Sequence, residues 1–217
     1  MVRLKIRDYR RNELIQATID TYAAKGLTDI TLADIAAQAG MSPALVSHYF
    51  DGKNELLEAT LRSLAKAIAR SILIRFKADP SPLARMHAII DACFEAEHFR
   101  PGAMVAWTAA WLHMQTNSQL AGLQRMINRR YRSNMLFALK QLMPEPIARD
   151  IATTLFATID GFWLREAIDR GAVSPNDARR LCRSYLTLAL QAGTEAARQK
   201  PAAKRAKPGQ RRSRSVK

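Results

Sequence analysis

The sequence predicts an all-α protein: an N-terminal three-helix unit containing a helix-turn-helix, joined by a long helix to a C-terminal helical domain. Three observations carry this. Apolar side chains recur at three- and four-residue spacing through most of the 217 residues. No stretch of strand length alternates apolar with polar residues, and no segment repeats. Proline and glycine fall at intervals that start and stop helices, as at Gly26, Gly40, Gly52, Pro80, Pro101, Pro144, Gly171 and Pro175.

Each element has its own signals. Residues 10–25 place Leu14, Ile15, Thr18, Ile19 and Tyr22 on one helix face, and Lys25-Gly26 supplies a basic last turn and a stop. Thr31 followed three residues later by Asp34 is close to a capping box and opens a helix that stops at Gly40. Ser42-Pro43 opens a short helix to about Tyr49, with a capping hydroxyl and a proline where its missing N–H is no loss. A long helix then runs from Lys53 towards Ala78, its apolar side marked by Leu56, Leu57, Leu61, Leu64, Ile68 and Ile72. Further helices are predicted at about 82–99, 102–115, 117–142, 145–170 and 175–197.

The net charge of +15 is unevenly spread. Residues 1–60 carry seven basic and eight acidic side chains, a net of −1, whereas residues 198–217 carry nine basic and no acidic ones, a net of +9. Most of the excess therefore belongs to a Lys/Arg/Pro/Ser tail too polar to bury a core, and a disordered tail is expected from 199 to 217. No apolar run approaches the roughly 18 residues of a membrane span, and no apolar leader follows the basic start, so a cytoplasmic, nucleoid-associated protein is expected. Cys93 and Cys182 lie singly in apolar helical patterns and read as packed free thiols. No phosphate loop, zinc signature or nucleophile motif is present. His98 beside Glu95 and Glu97 fits no strong metal spacing. The expectation is a non-enzyme with no cofactor and no metal.

Two helices joined by the turn Gly40-Met41-Ser42 make a helix-turn-helix, with Ile35, Ala36 and Val46 as packing positions. The second helix would enter the major groove and offer Ala44, Leu45, Ser47, His48 and Tyr49. The match extends beyond the generic motif. On Gly26, Thr31, Ile35-Ala36, Ala39-Gly40, Ser42, Tyr49-Phe50, Lys53 and Leu56-Leu57, the stretch from Arg10 to Thr60 resembles the DNA-binding domain of the TetR family of bacterial regulators. The resemblance implies phosphate contacts from the helix starts at Thr31 and Ser42 and from Lys53, with Ala44, Ser47, His48 and Tyr49 facing base edges or phosphates. Tyr49-Phe50 reads equally as core. A basic arm, Arg3, Lys5, Arg7, Arg10 and Arg11, is either solvated or a DNA contact. The boundaries expected are 1–52 for DNA reading and 53–198 for ligand sensing and dimerisation.

In the C-terminal half, Trp107 and Trp111 stand four residues apart on one helix face, and Trp163 lies in Ile159-Asp-Gly-Phe-Trp-Leu-Arg165. Aromatic faces with a carboxylate suit a quaternary ammonium ion, which donates no conventional hydrogen bond. Ordinary core packing is the competing reading of the same rings. Ala106-Trp-Thr-Ala-Ala-Trp111, Arg132-Ser-Asn134 and Ile159–Arg165 resemble the choline-responsive branch of the family, repressors of glycine betaine synthesis. That implies an effector such as choline held by Trp107, Trp111 and Trp163, with Asp160, Glu95, Glu97 or Asp91 as counter-charge, and a palindromic DNA operator bound by a homodimer. The apolar stripes Ile147, Ile151, Leu155, Ile159, Phe162 and Leu181, Tyr185, Leu188, Ala192 are candidates for the dimer face or for the subunit's own core. Two rival functions are an efflux-pump repressor sensing a bulkier cationic or aromatic compound, and an architectural DNA-binding protein working through the basic tail.

Overall fold

The computed structural model describes residues 2–199, with side chains for residues 6–195. The side chains of Arg3 and Lys5 and the basic tail beyond Gln199 lie outside the described residues. The described chain forms nine α-helices: α1 Val2–Lys25, α2 Leu32–Gln38, α3 Pro43–Tyr49, α4 Lys53–Ala78, α5 Pro82–Cys93, α6 Pro101–His113, α7 Ser118–Leu139, α8 Glu145–Ile168 and α9 Pro175–Gln199. No helix among the described residues is long and apolar enough to cross a membrane.

The first helix is longer than its stop-and-start signals predict. It begins at Val2, so the basic segment forms its opening turns. Nothing between Val2 and Arg11 breaks a helix: there is neither glycine nor proline, and Arg, Lys and Leu are good helix formers.

The fifth helix is shorter than predicted, ending at Cys93 instead of near 99. Its last carbonyls are taken by side chains from distant helices: Trp163 Nε1 donates to the Cys93 oxygen at 3.2 Å and Arg179 Nη2 to that of Phe94 at 3.0 Å. Phe94 and Phe99, both buried, stack edge to face at 5.3 Å and fold the connection inward. Tertiary contacts thus end a helix that periodicity alone would continue.

Helix α6 is buried on almost every side, from Gly102 to Ala110, and packs against α1. The approach is so close that a Cβ built on Gly102 would stand 2.4 Å from the Ile19 carbonyl oxygen. Gly102→Ala is therefore expected to destabilise the fold by about 1–3 kcal/mol, because overpacking against backbone outweighs the better helix propensity of alanine. Urea denaturation checks this, and an unchanged midpoint would contradict the close packing.

The α8 stripe proposed from sequence turns inward. Ile151, Leu155 and Ile159 are buried in the subunit's own core, and Ile147 and Phe162 pack partly against it. The face left outward is the neighbouring one, with Ala157, Gly161, Leu164 and Ile168. On α9, Leu181, Leu188 and Ala192 face outward and Tyr185 is half-buried. Two stripes of an apolar helix differ by a fraction of a turn, and only packing decides between them.

Candidate nucleic-acid interface and ligand cavity

Local sequence chemistry builds the N-terminal unit. Thr31 and Asp34 complete a capping box: the Asp34 amide donates to Thr31 Oγ1 at 3.2 Å and the Thr31 amide to Asp34 Oδ2 at 2.8 Å. Lys25, 2.6 Å from the same carboxylate, and the Thr31 donors hold Asp34 down at a pKa of about 2. Gly40 makes the turn with φ +64°, and the Met41 amide reaches back to the Ala36 oxygen at 2.9 Å. Ser42 then caps α3 through the Leu45 amide at 3.2 Å.

This geometry buries Ile35, Ala36, Val46 and Phe50 and turns Ala44, Leu45, Ser47 and His48 outward together. Tyr49 is half-buried, its ring edge-on to His48 at 5.2 Å between centroids. Of the two readings of Tyr49-Phe50, Phe50 is core and Tyr49 straddles the surface. Thr31 and Ser42 are exposed at the starts of α2 and α3. Ser47 Oγ donates to the Pro43 oxygen at 3.1 Å.

Arg11 has a role that sequence reasoning missed. Its guanidinium lies 3.9 Å from the centre of the Phe50 ring, donates to the Tyr49 carbonyl, and pairs with Glu55 at 3.0 Å. The other Glu55 oxygen accepts from the Asp51 amide at 2.6 Å. That amide and Arg11 hold the Glu55 carboxyl below its usual range. One side chain thus ties α1 to the end of α3 and the start of α4. Its partners lie about forty positions away, so no local pattern announces it. Lys53 is likewise engaged: its ammonium ion-pairs with Asp29, whose carboxyl is held down as a result.

The second feature is a cavity of about 30 Å³ lined by residues of helices α4 to α8. Trp107 and Trp163 meet in it edge to face, 5.3 Å between centroids with planes at 79°. Tyr131, Phe156 and Ile68 complete the apolar wall. Asp160 is half-buried in that wall with no hydrogen-bond or ion-pair partner among the described residues, and burial raises its pKa to about 7. Gln124 is 4% exposed; its Nε2 donates to Asn128 Oδ1 at 2.7 Å, while its Oε1 has no partner among the described residues. The buried Tyr131 hydroxyl has none either.

Trp111 and Glu95 lie elsewhere. Trp111 lines an outer recess of about 290 Å³ with Met114 and Leu164, which meets the cavity at Asp160, Gln124 and Asn128. Residues four apart share a helix face, but a turn of α6 carries Trp111 past the end of the cavity. Glu95 points to α4, where it ion-pairs with Arg75, accepts from Ser71 Oγ at 2.7 Å and lies 3.5 Å from His98 Nε2. Asp91 is held by Arg183 on α9. Cys93, at the cavity wall, and Cys182 are buried free thiols whose pKa burial pushes upward. Tyr131, Phe156 and Gln124 had been missed; the only sequence hint was that Tyr131 directly precedes the Arg132-Ser-Asn134 block.

A helix-turn-helix unit fused to a helical body with an internal cavity defines a DNA-binding regulator, and comparison with known proteins agrees. Residues 14–60 match the family described as bacterial regulatory proteins, tetR family, and residues 82–191 the family described as BetI-type transcriptional repressor, C-terminal. The HTH-type transcriptional regulator BetI of Brucella abortus is 37% identical over 190 residues, spanning 88% of this chain and 96% of that protein. Its namesake from Serratia proteamaculans is 36% identical over 196 residues, 89% and 99% of the two chains. The chain belongs to the TetR family of transcriptional regulators, and within it to the BetI-type repressors. It is a DNA-binding protein and not an enzyme. Among solved structures, a transcriptional regulator from Rhodococcus sp. shares the fold at a TM-score of 0.73 with 21% identity, covering 84% of this chain and 96% of that one. A regulator from Saccharomonospora viridis in complex with choline does so at 0.68 with 17% identity, covering 83% and 96%.

Proposed function

We propose that this repressor holds a partly palindromic operator as a homodimer and leaves it when choline or a closely related quaternary ammonium ion enters the α4–α8 cavity, so that it controls glycine betaine synthesis. The observation that carries the reading is the solitary, half-buried carboxylate of Asp160 in a wall of Trp107, Trp163, Tyr131 and Phe156. An unpaired carboxylate among aromatic faces favours a cation that needs no hydrogen-bond acceptors. Asp160 is the counter-charge in preference to Glu95, which Arg75 already neutralises. Trp111 serves the approach through the outer recess. The small cavity also favours a compact cation over the bulkier ligand of an efflux regulator. The choline carried by the Saccharomonospora viridis relative, and the shared name of the curated relatives, point the same way.

Residues 1–52 read DNA and 53–198 sense and dimerise. Ala44, Leu45, Ser47 and His48 face the bases, with Tyr49 at their edge. Thr31 and Ser42 meet phosphates, and Lys53 exchanges Asp29 for a phosphate on binding. The outward faces of α8 and α9, Ala157, Gly161, Leu164 and Ile168 with Leu181 and Leu188, pack against a second copy. The cavity is narrow, so a trimethylammonium group entering it presses on its walls. Ile68 belongs to α4, which begins at Lys53, so that pressure is felt at the reading unit. A coupling of roughly 1–3 kcal/mol makes a working switch.

The test is a tryptophan-fluorescence titration with choline against its uncharged tert-butyl isostere at equal ionic strength. A saturable change with choline alone supports the cage; equal responses, or none, would sink it. The basic tail is a separate matter. Removing residues 198–217 is expected to leave sequence-specific binding within about threefold and to weaken only the salt-dependent, non-specific component. Loss of operator recognition on truncation would favour the architectural reading.

A further inference from the structure

The cavity wall contains two polar atoms that the cation reading does not use. Gln124 Oε1 and the Tyr131 hydroxyl are both buried and both without a partner among the described residues. Each is costly to leave so, and buried polar groups normally find a partner. The Gln124 amide is oriented, because its Nε2 is committed to Asn128 Oδ1 at 2.7 Å. What it turns to the cavity is therefore an acceptor. Tyr131 supplies a donor in the same cavity wall. Gln124 also lines the outer recess, as Asp160 and Asn128 do, so it stands where the recess meets the cavity.

A group that gives one hydrogen and accepts another complements this pair. A hydroxyl does both. A carboxylate has no hydrogen for Gln124 Oε1 and would bring a second negative charge against Asp160. An alkyl end satisfies neither atom. We infer that Gln124, assisted by Tyr131, determines specificity at the tail of the ligand: the site takes a quaternary ammonium ion whose short arm ends in a hydroxyl, and refuses the same ion ending in a carboxylate. This rests on the choline-type reading of the cavity and extends it, because the oxidised form of such an alcohol is the carboxylate that the site refuses. A repressor with this site answers to the alcohol and ignores the acid.

The experiment titrates the full chain by tryptophan fluorescence with choline, ethyltrimethylammonium and glycine betaine. In the wild type, choline is expected to bind about tenfold tighter than ethyltrimethylammonium, an advantage of one well-placed hydrogen bond to a pre-formed acceptor. Glycine betaine is expected to give no saturable change at concentrations that saturate choline. In Gln124→Leu the ratio of choline to ethyltrimethylammonium affinity falls to within about twofold, and Tyr131→Phe moves it in the same direction. Because Tyr131→Phe removes one oxygen only, it reads the same ratio should Gln124→Leu fail to fold. Equal wild-type affinities for choline and ethyltrimethylammonium, a preference surviving both substitutions, or betaine binding as tightly as choline would each overturn the inference while leaving the cation cage standing. No response to any of the three ions would remove both.

Discussion

Asp160→Asn is expected to lower choline affinity by about 100-fold or more while making the protein more stable above neutral pH. Removing one partner of a desolvated charge pair typically costs about 2–5 kcal/mol, and the aromatic faces alone recover little of it. The stability change follows from the direction of the Asp160 shift. In the fold its pKa stands at about 7 because burial disfavours the anion. In the unfolded chain it returns to about 3.9. Between those values the folded protein holds a proton that the unfolded one has released, so stability declines as pH rises through that window and stays reduced above it. Asparagine carries no such penalty, and a gain of about 2–4 kcal/mol at pH 8, vanishing near pH 4, is expected. The same ionisation governs the ligand. Wild-type choline affinity should fall roughly tenfold per unit as pH drops below 7, and the asparagine variant should lose that dependence. A variant that binds choline normally, or a wild-type affinity flat from pH 5.5 to 8, removes Asp160 from the site.

The complementary experiment acts at the other end of the molecule. Ala44→Glu should reduce operator affinity by more than about 100-fold, leave choline binding unaltered and keep thermal stability the same or slightly higher. Ala44 is exposed in the first turn of α3, beside Ser42 and Leu45. A carboxylate there faces phosphates and base edges in each half-site, a repulsion counted twice in a dimer. Within the free protein it lies near a helix N-terminus, where negative charge is favourable by about 0.3–1 kcal/mol. Folding and DNA binding are therefore pushed in opposite directions by one substitution. A duplex selected by the wild type from a randomised pool supplies the operator. Binding within threefold of wild type would show that α3 is not the reading helix.

How far each feature could be read from sequence follows from the range of the forces that make it. The helix-turn-helix is written in caps and turns spanning three or four residues, Thr31 with Asp34, Gly40, and Ser42 with Pro43, and all of these occur in the structure as read. The limits of α4 were legible for the same reason. The end of α5 was not, since Trp163 and Arg179 make it from 70 and 85 residues away. The Arg11 tie to Phe50 and Glu55 is of the same kind. In the cavity, Trp107, Trp163 and Asp160 stand out by residue type, and the structure brings them together. Tyr131, Phe156 and Gln124 are unremarkable residues on helical patterns, placed there only by how α7 and α8 meet. Trp111 shows the limit from the other side: periodicity gives a shared face and says nothing of depth.

The tightness of the cavity also fixes the range of concentration over which the protein can report. If the open arrangement is occupied a small fraction of the time, the observed dissociation constant is the intrinsic one divided by that fraction. The threshold at which transcription begins is then adjustable without altering any group that touches the ligand's charge. Trimming the wall at Ile127, which lines the cavity beside Tyr131, to valine would favour opening and bring the threshold down. Enlarging it would raise the threshold. A bacterium that meets its osmolyte precursor at a different abundance could retune the sensor through such packing residues, with the chemistry of recognition left as it is.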